Sequence, residues 1–218
     1  MLKAIFWDND GVLVETEHLY YQACAGALAE AGVTLSEEAF VDFSLRQGRS
    51  IFELLKNTDG NAPDEALISR LALLRNELYA KLLRQSADCL VLPGVRELLS
   101  CLKGRYRMGI VTSCRREHFT IMHEKTGLLG YFDFVIGEGD YKKYKPDPEP
   151  YLNAVGRSGC LPGECLAIED SERGLRSAVA AGLRCIAVPR GLSAGGDFTV
   201  AEAILSDISE ILPKLSGF

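Results

Sequence analysis

KAIFWDNDGVLVETE, residues 3–17, opens with an apolar run that stops at two aspartates separated by one residue. The run reads as a short strand buried on both faces, because successive apolar side chains leave no side for solvent. In extended chain, alternate residues point to the same side. Asp8 and Asp10 therefore share one site at the carboxyl end of the strand, and Asn9 points away. Gly11 eases the tight turn that follows, and the Asn9 backbone N–H can meet an anionic oxygen.

Working outward, similar short runs recur at 108–112, 133–136, 165–168 and 184–188. Each is too short for a helix. Between them lie segments of helical period, at Val95 to Leu102, Arg115 to Thr126, Pro148 to Ser158 and Ser171 to Ala181, the last followed by Gly182 as a helix stop. Strand alternating with helix predicts an α/β fold with a Rossmann-like core, a parallel sheet flanked by helices. Residues 17–88 break the alternation: they hold helical patterns at His18 to Ala31, Glu37 to Leu45, Ile51 to Lys56 and Asp64 to Gln85, and no strand. The expectation is an inserted all-helical cap over 17–88, with 1–16 and 89–218 forming the core. LPGVREL marks the return, Pro93 and Gly94 being its punctuation, and a last helix over Asp207 to Leu215 is placed at the sheet edge.

With 218 residues, 47% of them apolar, the chain can fill one large core and carry an insertion. A net charge of −6 argues against non-specific partnership with nucleic acid or an anionic membrane. The opening apolar run is too short for a signal peptide, and no stretch approaches a membrane span. The seven cysteines (24, 89, 101, 114, 160, 165 and 185) are scattered and contain no CxxC pair. They are read as reduced, mostly buried thiols of a cytoplasmic protein. His18, His118 and His123 have no metal spacing and receive no role.

In a parallel sheet, ligands bind at the carboxyl ends of the strands. The residues just past the apolar runs are Asp8 and Asp10, Thr112 and Ser113, Lys145 in the loop after the third strand, and Glu169 with Asp170. A carboxylate can attack phosphorus and split ester hydrolysis into two easier steps. Acids this close repel unless a divalent cation joins them, and oxygen ligands suit Mg²⁺. A hydroxyl and a lysine can hold the phosphoryl oxygens, while a further carboxyl delivers the proton. The inventory matches Mg²⁺-dependent phosphoryl transfer.

These residues, in this order, resemble the haloacid dehalogenase superfamily, in its phosphatase branch with a helical cap after the first strand. The four motifs stand as DNDGVLVETE, VTS, KYKPDPEPY and IEDSERG, and the likeness spans nearly the whole chain. The resemblance implies Asp8 as nucleophile, Asp10 as general acid and base, and Mg²⁺ held by the Asp8 carboxylate, the Asp10 backbone carbonyl and Asp170. It also implies phosphate binding by Thr112, Ser113 and Lys145, beside the Asn9 backbone N–H read from the turn, with Glu169 supporting the metal acid. Glu15 stands where relatives often have Asp. Asp10 argues against the dehalogenase branch, whose halide needs no proton. Tyr20 and Ile51 occupy positions where β-phosphoglucomutase-like members carry His and Arg.

The expectation is a phosphatase acting on a small phosphorylated metabolite, a sugar phosphate or phosphoglycolate-like ester, through an aspartyl-phosphate. Arg46, Gly48 and Arg49 in the cap segment LRQGRS are candidates for reaching a second anionic group on the substrate. The alternatives are a sugar phosphomutase and, from another class, a phospho-acceptor signalling module. Oligomeric state is not readable.

Overall fold

The computed structural model describes residues 1–55, 64–86 and 90–217. Six parallel strands form one sheet, β1 Ala4–Trp7, β2 Arg107–Val111, β3 Phe134–Ile136, β4 Cys165–Glu169, β5 Arg184–Ala187 and β6 Ala203–Ile204, in the order β3-β2-β1-β4-β5-β6. Trp7 pairs with Ile110 on one side and Ile168 on the other, so the three central strands end level with one another. The chain is an α/β protein, and the five strands expected from the apolar runs are present. β6 was not expected: two residues are too few to show a period.

Between β1 and β2 lie α1 Glu17–Ala29, α2 Glu37–Phe40, continued by a π-helical turn Val41–Arg46, and α3 Glu65–Ser86. The pattern from Ile51 forms a 3₁₀ turn, Ile51–Leu54, and Lys56 lies outside the described residues. The outgoing and returning chains run side by side: Glu15 N donates to Leu90 O (2.8 Å) and Leu92 N to Leu13 O (3.1 Å). Cys24, Ala27, Leu28, Phe40, Ile51, Phe52 and Leu71 bury one another in a cluster of the insertion's own. Ala23 of α1 and Tyr79, Ala80 and Leu83 of α3 instead join the cluster under the sheet, so these two helices pack on both.

The sheet is covered on both sides, as buried parallel strands require. Ile5, Trp7, Met108, Ile110, Leu166 and Ile168 face α4 Val95–Leu102 and α5 Arg116–His123. Ala4, Phe6, Val111, Ala167 and Cys185 face α6 Glu149–Ser158 and α7 Glu172–Ala180. At the C-terminus, Asp207 caps a 3₁₀ turn Ile208–Glu210, and α8 Ile211–Leu215 follows, its Ile211 and Leu215 buried on the α4 side. Of the six described cysteines, all free, only Cys24, Cys165 and Cys185 are buried; Cys114 and Cys160 are half-buried and Cys101 is exposed, which corrects the expectation of mostly buried thiols. Cys89 lies outside the described residues. No described helix is long and apolar enough to cross a membrane.

Candidate active site

Past Trp7 the chain turns sharply: Leu13 N and Val14 N both donate to Asn9 O, and Gly11 N donates to Val14 O. Gly11 is needed twice over. Its φ is 81°, which L side chains rarely adopt, and a Cβ there would stand 2.1 Å from Asp170 Oδ2. The missing side chain lets the β1 turn close on the end of β4. Gly174 does the same for α7, because a Cβ at that position would lie 1.9 Å from Glu169 Oε2. Ser171 starts α7 as its N-cap, its hydroxyl accepting from Gly174 N at 3.2 Å.

Alternation carries Asp8 and Glu169 to the α6/α7 side, and Lys145 lies between them. Its Nζ donates to Asp8 Oδ1 (2.8 Å), Glu169 Oε1 (2.6 Å) and the Val111 carbonyl (2.8 Å), so all three protons are used. Tyr151 of α6 donates to the same Glu169 oxygen at 2.6 Å. Lys145 is only 5% exposed. Burial opposes its charge, but the Asp8 and Glu169 carboxylates outweigh burial and hold the ammonium above its usual pKa. Burial and the nearby Asp8 push Glu169 up, against the pull of Lys145 and Tyr151. Burial and Asp8 likewise raise Asp10, opposed by hydrogen bonds from Thr16 and Asn9.

Asp8, Glu169 and Asp170 each offer a carboxylate oxygen within 4.8 Å of the others. Asp170 is 1% exposed, and its Oδ2 is buried with no hydrogen-bond partner. Its pKa is driven well above the ordinary value by burial, then by Glu17 and Asp8. A buried carboxylate oxygen without a partner, among other acids, is costly alone and is what a hard divalent cation satisfies, so the residues fit a bound metal. Glu169 is the least suited of the three, since Lys145 and Tyr151 already occupy its Oε1. Glu17, the first residue of α1, adds a carboxyl to the same neighbourhood. Burial moves its pKa up to about 7, although the Ser193 hydroxyl donates to it at 2.6 Å.

The acids open into a cavity of about 560 Å³ between the sheet and the insertion, lined among others by Asp8, Asp10, Ser113, Lys145 and Asp170. Thr112 is placed otherwise. It is buried, its Oγ1 accepts from Cys114 N (3.0 Å), and it does not line the cavity. The N-cap of α5 is Arg115, without a side-chain cap, so neither Thr112 nor Ser113 is used in capping that helix. The Asn9 side chain is buried and turned toward α5, away from Asp8, but its amide still reaches Asp10 Oδ2 at 3.2 Å. Of the three insertion residues, Gly48 and Arg49 line the cavity. Arg46 instead donates to Gly195 O (2.8 Å) and fastens the insertion to the core.

The lining also carries polar groups to which the sequence assigns no role, among them Arg75 and Asn76 of α3, His118 of α5 and Arg173 of α7. Arg75 lies over the rings of Tyr20 and Phe52, 5.5 Å from each centroid. Arg173 donates to the carbonyls of Lys145 (2.5 Å) and Ser44 (3.3 Å) and so links the site to the insertion. Nothing local marks Arg75, because a charged residue on a long helix reads as solvent-facing. Cys114 also lines the cavity, with a thiol that burial keeps protonated.

A family model described as haloacid dehalogenase-like hydrolase matches residues 5–188. Protein CbbY of Rhodobacter capsulatus is 33% identical over 225 residues, covering 98% of this chain and 99% of that protein. A phosphoglycolate phosphatase of Nitrosospira multiformis is 34% identical over 204 residues, covering 90% and 87%. Among solved structures, a mutant of CbbY from Rhodobacter sphaeroides in complex with xylulose 1,5-bisphosphate superposes with a TM-score of 0.82 at 25% identity, covering 96% of each chain. With the four motifs converging on one rim of the sheet and the model matching most of its length, the chain belongs to the haloacid dehalogenase-like hydrolases.

Proposed function

We propose that this hydrolase is a Mg²⁺-dependent phosphatase of small phosphorylated metabolites that works through an aspartyl-phosphate on Asp8. The observation that carries the reading is the Lys145 ammonium between Asp8 and Glu169, beside an Asp170 oxygen with no partner, at the floor of a cavity. Lys145 fixes Asp8 by Oδ1, and Asp8 Oδ2 takes no hydrogen bond among the described residues. That oxygen attacks phosphorus, the ester P–O bond breaks, and Asp10 protonates the departing oxygen. Asp10, now a carboxylate, takes a proton from water as the water attacks the phosphorus of the acyl phosphate and releases Asp8. Ser113 holds a phosphoryl oxygen through both steps, and the Lys145 charge beside Asp8 offsets the negative charge that gathers there. Asp8, Asp170 and the Asp10 backbone carbonyl would hold the metal, whose charge offsets that of the phosphoryl group.

Residues 17–88 serve in this reading as a cap that excludes water. The cap wall brings Arg49 and Arg75 to the cavity with Ser50 and Asn76, a set suited to a polyol bearing a second anionic group. The carboxylate of phosphoglycolate or the second phosphate of a sugar bisphosphate is of this kind, and the names of the relatives point to both. The test is phosphate release across a panel of sugar phosphates, bisphosphates and phosphoglycolate, with Mg²⁺ and with EDTA. Release in EDTA equal to that in Mg²⁺ would overturn the metal. Isomerisation of a hexose phosphate without phosphate release would favour a mutase, and a phosphoenzyme stable for minutes a phospho-acceptor module.

A further inference from the structure

The alternation that sends Asp8 toward α6 and α7 sends Ile5, Trp7 and then Asn9 toward α5. Asn9 is 0% exposed, yet its amide is polar at both ends and both ends are engaged. Nδ2 lies 3.2 Å from Asp10 Oδ2 and 3.3 Å from Met122 Sδ, and Oδ1 lies 2.8 Å from His123 Nε2. His123 Nδ1 is in turn 2.9 Å from Thr126 Oγ1, which stands 3.3 Å from Leu128 N.

Chemistry orders the hydrogens along this row. The Met122 thioether has no proton to give, so the Asn9 NH₂ is the end that faces Met122 and Asp10, and the amide oxygen faces His123. His123 Nε2 must then carry the proton, its bare Nδ1 accepts from the Thr126 hydroxyl, and Thr126 accepts from Leu128 N–H. Every buried donor finds an acceptor, and the row runs one way, from the backbone after α5 to the carboxyl of Asp10. Burial holds the ring neutral, with a pKa of about 4, as the row requires. The other oxygen of Asp10 is held by the Thr16 hydroxyl, just before α1 (2.5 Å). Asp10 is thus held from two sides, one arm belonging to the entry into the insertion and the other to the rigid core.

We propose that His123 is a positioning residue for Asp10, acting through the side chain of Asn9. This rests on Asp10 as the acid and base of the reading above. Both of its proton transfers need the carboxyl aimed within hydrogen-bond reach, while substrate binding does not. Loosening the core arm therefore slows turnover and leaves affinity alone.

The test compares the wild type with His123→Leu and His123→Gln, all with Mg²⁺, on the best alkyl phosphate and on p-nitrophenyl phosphate. His123→Leu is expected to lower kcat on the alkyl ester roughly 10-fold at unchanged KM. On the aryl ester, whose leaving group needs no acid, it is expected to show a burst of nitrophenolate before a slower steady state, because only the attack of water still needs Asp10. His123→Gln keeps an N–H toward Asn9 and is expected to recover most of the loss. Equal slowing of both esters, with no burst and no recovery by Gln, would reduce His123 to packing and overturn the proposal. A ¹⁵N spectrum of the wild-type imidazole decides the matter should a variant not fold. A neutral ring protonated at Nε2 between about pH 5 and 8 is expected, and an Nδ1-protonated ring would sink the row. Absence of phosphate release from every ester in the wild type would be a failure of the phosphatase reading, and the tautomer would still test the contact.

Discussion

The core wall and the insertion wall of the cavity carry their charges differently. On the core wall Lys145 spends all three protons on Asp8, Glu169 and a backbone carbonyl, and Tyr151 completes Glu169 from behind. On the insertion wall exposed Arg49 pairs with Glu53 four residues on, donates to Gln47 (3.2 Å) and lies over the Phe43 ring, while half-buried Arg75 rests on aromatic faces and the adjacent Asn76. Groups that stabilise a developing charge act best when they need not reorganise, which dry and fully partnered surroundings provide. Recognition of a variable substrate tolerates, and uses, side chains that can still move. Substitutions on the core wall should therefore cost turnover and stability, and those on the insertion wall affinity for particular substrates.

The sharpest break in the comparison is Asp8→Asn, which is expected to lower kcat on every phosphate ester by at least about 10³-fold. Steady-state phosphate release checks it, and near-normal rates would end the nucleophile assignment. Lys145→Met should come next. It leaves Glu169 and Asp8 buried without their cation, for a loss of about 3–5 kcal/mol in urea unfolding besides a fall in kcat. A variant of unchanged stability would mean that the core wall is no more constrained than the other.

Behind the core wall, burial lowers the His123 pKa from 6.5 to about 4. Between those values the unfolded chain binds the proton that the folded chain refuses, so stability falls as pH drops through the window, by about 3 kcal/mol in all. His123→Leu should lack this share of the acid slope when unfolding is followed from about pH 7 to 4. The smallest effect belongs to the insertion wall. Arg75→Met should raise KM about 10-fold, or about 1.4 kcal/mol, for substrates with a second anionic group, and hardly alter p-nitrophenyl phosphate hydrolysis. An equal change on both would place Arg75 with the reaction rather than with recognition.

Much of this site is legible one residue at a time. Apolar runs of four or five residues with helical periods between them announce a parallel sheet, and a sheet of that kind offers its carboxyl ends. Glu169 illustrates where reading stops: the motif marks Glu169 and Asp170 as adjacent acids at the end of β4, but the engagement of Glu169 by Lys145 and Tyr151 emerges only from packing. Thr112 illustrates the reverse, a residue placed by motif at the phosphate whose hydroxyl turns inward to the backbone of Cys114. The split of α1 and α3 between two apolar clusters is equally hidden, since one helical stripe looks the same whatever it covers.

By itself the sequence determined the period of five of the six strands and of the longer helices, the pairing of Asp8 with Asp10 on one side of the chain and the turn that only Gly11 allows. These are local facts, written in neighbours a few residues apart. The tertiary structure alone decided which distant groups meet, Lys145 reaching Asp8 across 137 positions and His123 reaching Asn9 across 114. The physical reason is that a buried polar side chain must find a partner wherever packing brings one, and spacing along the chain carries no trace of that encounter.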